Sequence, residues 1–112
     1  WELSTLRARH CLDAFEPDII VGSSRGGALA ASLDTDVRKI LIAPAYKMFG
    51  VENPKINETT TVLHSLDDEI VPFDDSVKLV EGQNTRLIIC GTCHRMKDSE
   101  ALRKLVMVIE EA

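Results

Sequence analysis

Asp18-Ile19-Ile20-Val21-Gly22-Ser23-Ser24-Arg25-Gly26-Gly27 decides how the rest of the chain is read. A β-branched apolar run over residues 18–22 ends on glycine, and the small residues of 26–33 suit a closely packed helix. The pattern is strand, sharp turn, helix. Gly22-Ser23-Ser24-Arg25-Gly26 fits G-x-S-x-G with Ser24 at its centre, and in so tight a turn side chains at Gly22 and Gly26 are expected to clash with neighbouring backbone. Such a turn lifts the Ser24 hydroxyl above the sheet. It also sets a helix N-terminus beneath it, where the Arg25 backbone N–H can meet a developing oxyanion. Taken alone, the same Gly/Ser-rich turn equally suits a phosphate-binding loop.

Outward from this turn the alternation repeats. Residues 39–43, 60–64 and 86–90 are apolar runs of the kind buried on both faces of a parallel sheet, as is 18–22. Residues 3–15 space Leu3, Leu6, Cys11, Leu12 and Phe15 near a helical repeat closed by Pro17. Residues 73–81 read as a helix with Asp74 and Asp75 in its first turn and Gly82 past its end. Residues 98–111 read as another, with Ala101, Leu102, Leu105, Val106 and Ile109 on the face expected to cover the sheet and Asp98 or Ser99 as cap. Residues 46–58, polar and flanked by Pro44, are expected to be mostly loop. The class is therefore α/β, a three-layer sandwich with a parallel sheet of four strands, and the 112 residues form one domain, 1–112. In such sheets chemistry collects just after the carboxyl ends of the strands.

Composition narrows the function classes. A formal charge of −5, a pI of about 5.1 and scattered Lys and Arg argue against a nucleic-acid or anionic-membrane surface. No apolar run approaches the roughly 18 to 20 residues that span a bilayer, and no secretory leader is visible, so the expected location is cytoplasmic. Three cysteines, Cys11, Cys90 and Cys93, make an odd number better read as reduced thiols than as a disulfide framework.

Two further loops follow strands. After residues 60–64 comes His64-Ser65-Leu66-Asp67-Asp68-Glu69-Ile70-Val71-Pro72, and after 86–90 comes Gly91-Thr92-Cys93-His94-Arg95. A serine, an acid and a histidine thus follow three strands in that chain order. The three segments resemble the nucleophile elbow, acid loop and histidine loop of small, lidless α/β-hydrolases. In that family the acid loop often reads H-G-x-x-D-x-x-V-P, which falls on His64, Ser65, Asp68, Val71 and Pro72 with Ser65 in place of glycine; this selects Asp68 over Asp67. The resemblance implies a serine hydrolase, carboxylesterase-like, using Ser24 as nucleophile, His94 as general base and acid, and Asp68 as its orienting partner. It further implies a small ester, thioester or amide as acyl substrate, no cofactor and no metal, and a structural role for His64.

Other readings compete for the same residues. Cys90-Gly91-Thr92-Cys93-His94 fits the C-x-x-C-H of c-type haem attachment, with Met96 as a tempting axial ligand, but Cys90 closes an apolar strand and is expected to be buried. A redox C-x-x-C ordinarily opens a helix, and none clearly starts here. Zinc would need His10, Cys11 or His64 to be recruited from distant segments. Arg25 is either a surface cation or a contact for an anionic substrate group, and Trp1, Phe15 and Phe49 are assigned to packing.

The family normally has strands and a helix before its elbow, including the loop that supplies a second oxyanion donor, and these are not in this sequence. The chain starts at Trp1 inside an apparent helix, so an upstream segment is expected, and the strand at 18–22 becomes a sheet edge with apolar surface beside it. The alternative is a short, weakly active or inactive chain that works by partner binding or by homodimerisation through that edge.

Overall fold

The computed structural model describes residues 1–111; residue 112, the last of the domain expected over 1–112, lies outside the described residues. The elements run α1 (Glu2–Phe15), β1 (Ile19–Ser23), α2 (Arg25–Ser32), β2 (Arg38–Ile42), β3 (Thr61–His64), α3 (Phe73–Val80), β4 (Arg86–Ile89) and α4 (Ser99–Glu110). The four strands form one parallel sheet in the order β1-β2-β3-β4, with Gly22 opposite Leu41, Leu41 opposite Val62, and Val62 opposite Leu87.

Period-two alternation along the strands sends side chains to opposite faces. From β2, Leu41 joins Ala28, Ala31, Val62 and Leu79 on the face covered by α2 and α3. Ile40 and Ile42 join Leu63, Cys90, Ala101 and Val108 on the face covered by α4. Both crossover helices share one face because the strands are laid down in one direction and crossovers keep one hand. With no further strand to return to, α4 takes the other face, completing three layers.

The strands expected to be buried on both faces divide into two kinds. β2 and β3 are buried; β1 and β4 are edges, with Val21 and Ile89 exposed. Single-sided pairing leaves one flank of an edge strand uncovered whatever its composition. The face expected for α4 also shifts. Ala101, Leu105 and Val108 face the sheet, whereas Leu102, Val106 and Ile109 form the neighbouring stripe and meet solvent. Residues one position apart lie about 100° apart around a helix, so only one of two adjacent apolar stripes can be central.

On α1, only Leu12 of the expected stripe is buried, and Phe15, assigned to packing, is 78% exposed. The stripe runs along the uncovered flank of β1, where Cys11, Leu12 and Phe15, with β1 and α2, line an apolar cavity of about 440 Å³. Trp1 and Phe49 do pack, on each other, with ring centroids 5.1 Å apart. Among the described residues no helix is long and apolar enough to cross a membrane.

Candidate active site

β1 delivers its last residue into a turn that is held from both sides. Ser24 N–H donates to the Ile42 carbonyl at 2.8 Å, and the Ser24 carbonyl accepts from Ala28 and Ala45 N–H, each at 3.0 Å. These bonds fix Ser24 at φ 53° and ψ −113°, a region that L-residues rarely adopt. Ser24 stands at the N-cap of α2 but makes no capping bond with its side chain, which leaves the hydroxyl available.

The turn needs glycine, though not at both positions expected. A Cβ at Gly22 would lie 2.3 Å from the Gly26 carbonyl oxygen, which backbone cannot accommodate. A Cβ at Gly26 would meet nothing within 4 Å, because Gly26 opens onto the cavity beside β1. The second tight glycine is Gly27, where a Cβ would lie 2.9 Å from Pro44 Cα, on the chain leaving β2.

Ser24, Asp68 and His94, each just beyond a strand, are brought together. Ser24 Oγ lies 2.8 Å from His94 Nε2, and His94 Nδ1 lies 2.7 Å from Asp68 Oδ2. Asp68 offers only acceptors, so Nδ1 carries the ring proton and Nε2 accepts from the Ser24 hydroxyl. Asp68 Oδ1 accepts from the Ile70 and Val71 amides at 2.8 and 2.7 Å. Burial acts to raise the Asp68 carboxyl, but its bonds to His94, Ile70 and Val71 outweigh this and hold it below its ordinary range.

Asp67, the rejected acid, instead donates its backbone N–H to Ser65 Oγ. That serine is fully buried, and its hydroxyl donates to the Gly91 carbonyl at 3.0 Å, tying the acid loop to the histidine loop. Sequence reasoning noted Ser65 only as a departure from glycine. It missed Ser76 altogether: Ser76 Oγ lies 2.6 Å from Nδ1 of His64. A serine on the inner face of α3 was the only available signal.

The Arg25 N–H heads α2, next to Ser24, and the first amides of a helix have no intrahelical acceptor. Its guanidinium lies 5.5 Å from the Trp1 ring and 5.7 Å from that of Phe49, and donates to Ser4 Oγ at 2.6 Å. Arg25 is thus an anchored surface cation.

Cys90 and Met96 are packed beneath α4 in the core, and burial pushes the Cys90 thiol up, away from the thiolate that redox or metal chemistry uses. Among the described residues no three His, Cys, Asp or Glu side chains converge as metal ligands do. A cavity of about 790 Å³ opens at the amino ends of the strands between Asp18, Arg38 and Arg86, and contains none of these site residues.

No family model and no curated protein matches the chain. Among solved structures it is similar to a proposed hydrolase of the alpha/beta superfamily from Xanthomonas campestris pv. campestris, with a TM-score of 0.76, 24% identity, and coverage of 96% of this chain and 68% of that one. It is also similar to alpha/beta hydrolase domain-containing protein 10 from mouse, with a TM-score of 0.74, 20% identity, and coverage of 96% and 66%. For esterase PE8 the TM-score is 0.62 and the identity 18%, with coverage of 98% and 59%. The chain therefore spans about two thirds of the length of the first two structures, and less of the third. With its parallel strand order, the turn at Ser24 and this likeness taken together, the chain has the fold of the matching part of these α/β-hydrolase structures.

Proposed function

We propose that the chain carries the nucleophile, base and acid of a serine hydrolase of carboxylesterase type, acting through an acyl-enzyme on a small ester, thioester or amide. The observation that carries this reading is the unbroken row from Ser24 Oγ through His94 to Asp68 Oδ2, with bonds of 2.8 and 2.7 Å. Ser24 Oγ attacks the carbonyl carbon while its proton passes to His94 Nε2, and the carbonyl electron pair moves onto oxygen. The Arg25 N–H faces that oxyanion. As the intermediate collapses, the bond to the leaving group breaks and the leaving group takes the proton from His94. Water then repeats the cycle on the acyl-enzyme, its proton going to His94 and returning to Ser24. Asp68 holds the imidazole in the required tautomer throughout.

The connection between β2 and β3 is too short for a large lid, which favours a small or accessible acyl substrate. Intact mass after fluorophosphonate treatment tests the reading. One adduct on the wild type and none on Ser24→Ala upholds it; no adduct on a folded wild type, alone or joined to an upstream segment, overturns it.

A second reading, docking of a partner or of a second copy along β1, is favoured by the sheet edge: among the described residues β1 pairs with β2 alone, and the apolar cavity lies along its other flank. Light scattering tests the self-association arm. A dimer that Val21→Lys dissociates upholds it, and a monomer at all concentrations removes it.

A further inference from the structure

His64 is completely buried at the end of β3, and both of its ring nitrogens are engaged. Nε2 lies 3.0 Å from Asp68 Oδ2 and 3.0 Å from the Val71 carbonyl oxygen. Both partners accept, so Nε2 carries the proton and is shared between them. Nδ1 is therefore an acceptor, and the Ser76 hydroxyl donates to it at 2.6 Å. The oxygen that His64 reaches is the same Oδ2 that His94 uses. Asp68 thus accepts four hydrogen bonds, two at Oδ1 from its own loop and two at Oδ2 from competing histidines.

We propose that His64, fixed in one tautomer by Ser76, is a positioning residue that lowers the proton affinity of the Asp68–His94 pair by sharing Asp68 Oδ2 with His94. The inference rests on the serine-hydrolase reading for its consequence in rate, but its physical content is independent of turnover. A carboxylate oxygen that already accepts one N–H has less charge to offer an imidazolium, so the pair takes up its proton at lower pH. Ser76 acts at one remove. By donating to Nδ1 it favours the Nε2–H tautomer, and bonds in series polarise one another.

The groups that face this pair from each packed element are few. From the acid loop come His64 and Glu69, whose Oε2 lies 3.4 Å from the His94 amide nitrogen. From α3 come Ser76 and the Phe73 ring, 5.5 Å from that of His64, while Asp75 is paired with Lys47 at 3.5 Å. From the elbow comes Ser24. Glu69 touches the backbone of His94, not its ring.

The test is titration of the His94 ring proton resonances by NMR in the wild type, His64→Leu, His64→Gln and Ser76→Ala, run alongside the pH dependence of fluorophosphonate labelling. His64→Leu removes the competing donor and is expected to move the His94 midpoint and the acid limb of labelling upward by about 0.5 to 1 pH unit. His64→Gln keeps an N–H near Oδ2 and restores the wild-type midpoint. Ser76→Ala moves it in the same direction by less, and serves if His64→Leu does not fold. Midpoints unchanged in folded Ser76→Ala and His64→Leu, or a shift that His64→Gln does not reverse, overturn the inference and leave His64 a packed ring. If the midpoints move as stated but no protein labels, the hydrolase reading fails while the inference holds.

Discussion

His94 Nε2 stands 2.8 Å from Ser24 Oγ, across 70 positions of chain, and the residue that holds His94 there is Asp68. Asp68→Asn changes one atom of that arrangement. Because Oδ1 is claimed by the Ile70 and Val71 amides, the new NH₂ must sit where Oδ2 was, presenting donors to both histidines. His94 is then driven to the wrong tautomer. We expect acylation to fall by about 10⁴-fold with the fold retained, measured as the rate of fluorophosphonate adduct formation.

The same carboxyl sets a pH dependence of stability. Its folded-state value is depressed, so the stability it contributes is present above the ordinary carboxylate value of about 3.9 and is lost as pH falls through the folded value. Asn at this position cannot titrate. Denaturant melts of wild type and Asp68→Asn are expected to show a stability difference that holds from neutral pH down to about 4 and shrinks as the pH is lowered further.

The glycines of the elbow are expected to separate sharply. Gly22→Ala sets a Cβ against the Gly26 carbonyl oxygen at 2.3 Å and is expected to cost about 2 kcal/mol or more, with loss of labelling. Gly26→Ala meets nothing within 4 Å and is expected to fold and label as the wild type does. Thermal melts and intact mass on the two variants decide this.

Lys39 is nearly fully buried in β2, and its ammonium donates to the carbonyls of Leu33 and Lys55, each at 2.6 Å. Burial lowers its pKa from 10.5 to about 8, with Asp34 opposing and Lys55 assisting the shift. Between those values the unfolded chain binds more protons at this residue than the folded one, so the folded state gains stability as pH rises. The gain across that interval is about 3 kcal/mol relative to Lys39→Met, read from denaturant melts at pH 8 and 10.5.

Ser65→Ala removes the hydroxyl that joins the acid loop to Gly91 and accepts from the Asp67 amide. The loss is expected to be about 1 kcal/mol of stability, since the part-buried Gly91 carbonyl loses its donor. A slower labelling rate in the still-folded variant is expected with it, because His94 lies three residues beyond Gly91.

Much of this architecture is legible in the sequence because it is local. The run Ile19-Ile20-Val21 followed by Gly22 and small residues states strand, turn and helix without reference to anything distant, and the loops carrying Asp68 and His94 begin where strand composition stops. What was not legible depends on pairing order or on rotation about an axis. Ile89 and Val21 are as apolar as Leu63, yet their strands are edges, and only the order β1-β2-β3-β4 decides that. Leu102, Val106 and Ile109 are as fit to face the sheet as Ala101, Leu105 and Val108; the placement of α4 chooses the second set. Within the site, a serine, an acid and a histidine after three strands were legible from their order along the chain, and the resemblance of the acid loop to H-G-x-x-D-x-x-V-P picked Asp68 over Asp67, whereas Ser76 meets His64 only once α3 is docked. Gly26 shows the converse: a motif position read as crowded is open in the folded chain.

The backbone at Ser24, with φ 53° and ψ −113°, is one that glycine would hold without steric strain. Selection of variants for heat resistance alone would therefore favour Ser24→Gly, while selection for acyl transfer would restore the serine. The two screens pull opposite ways on one residue, and thermal ranking of a library of this chain would remove the nucleophile proposed above.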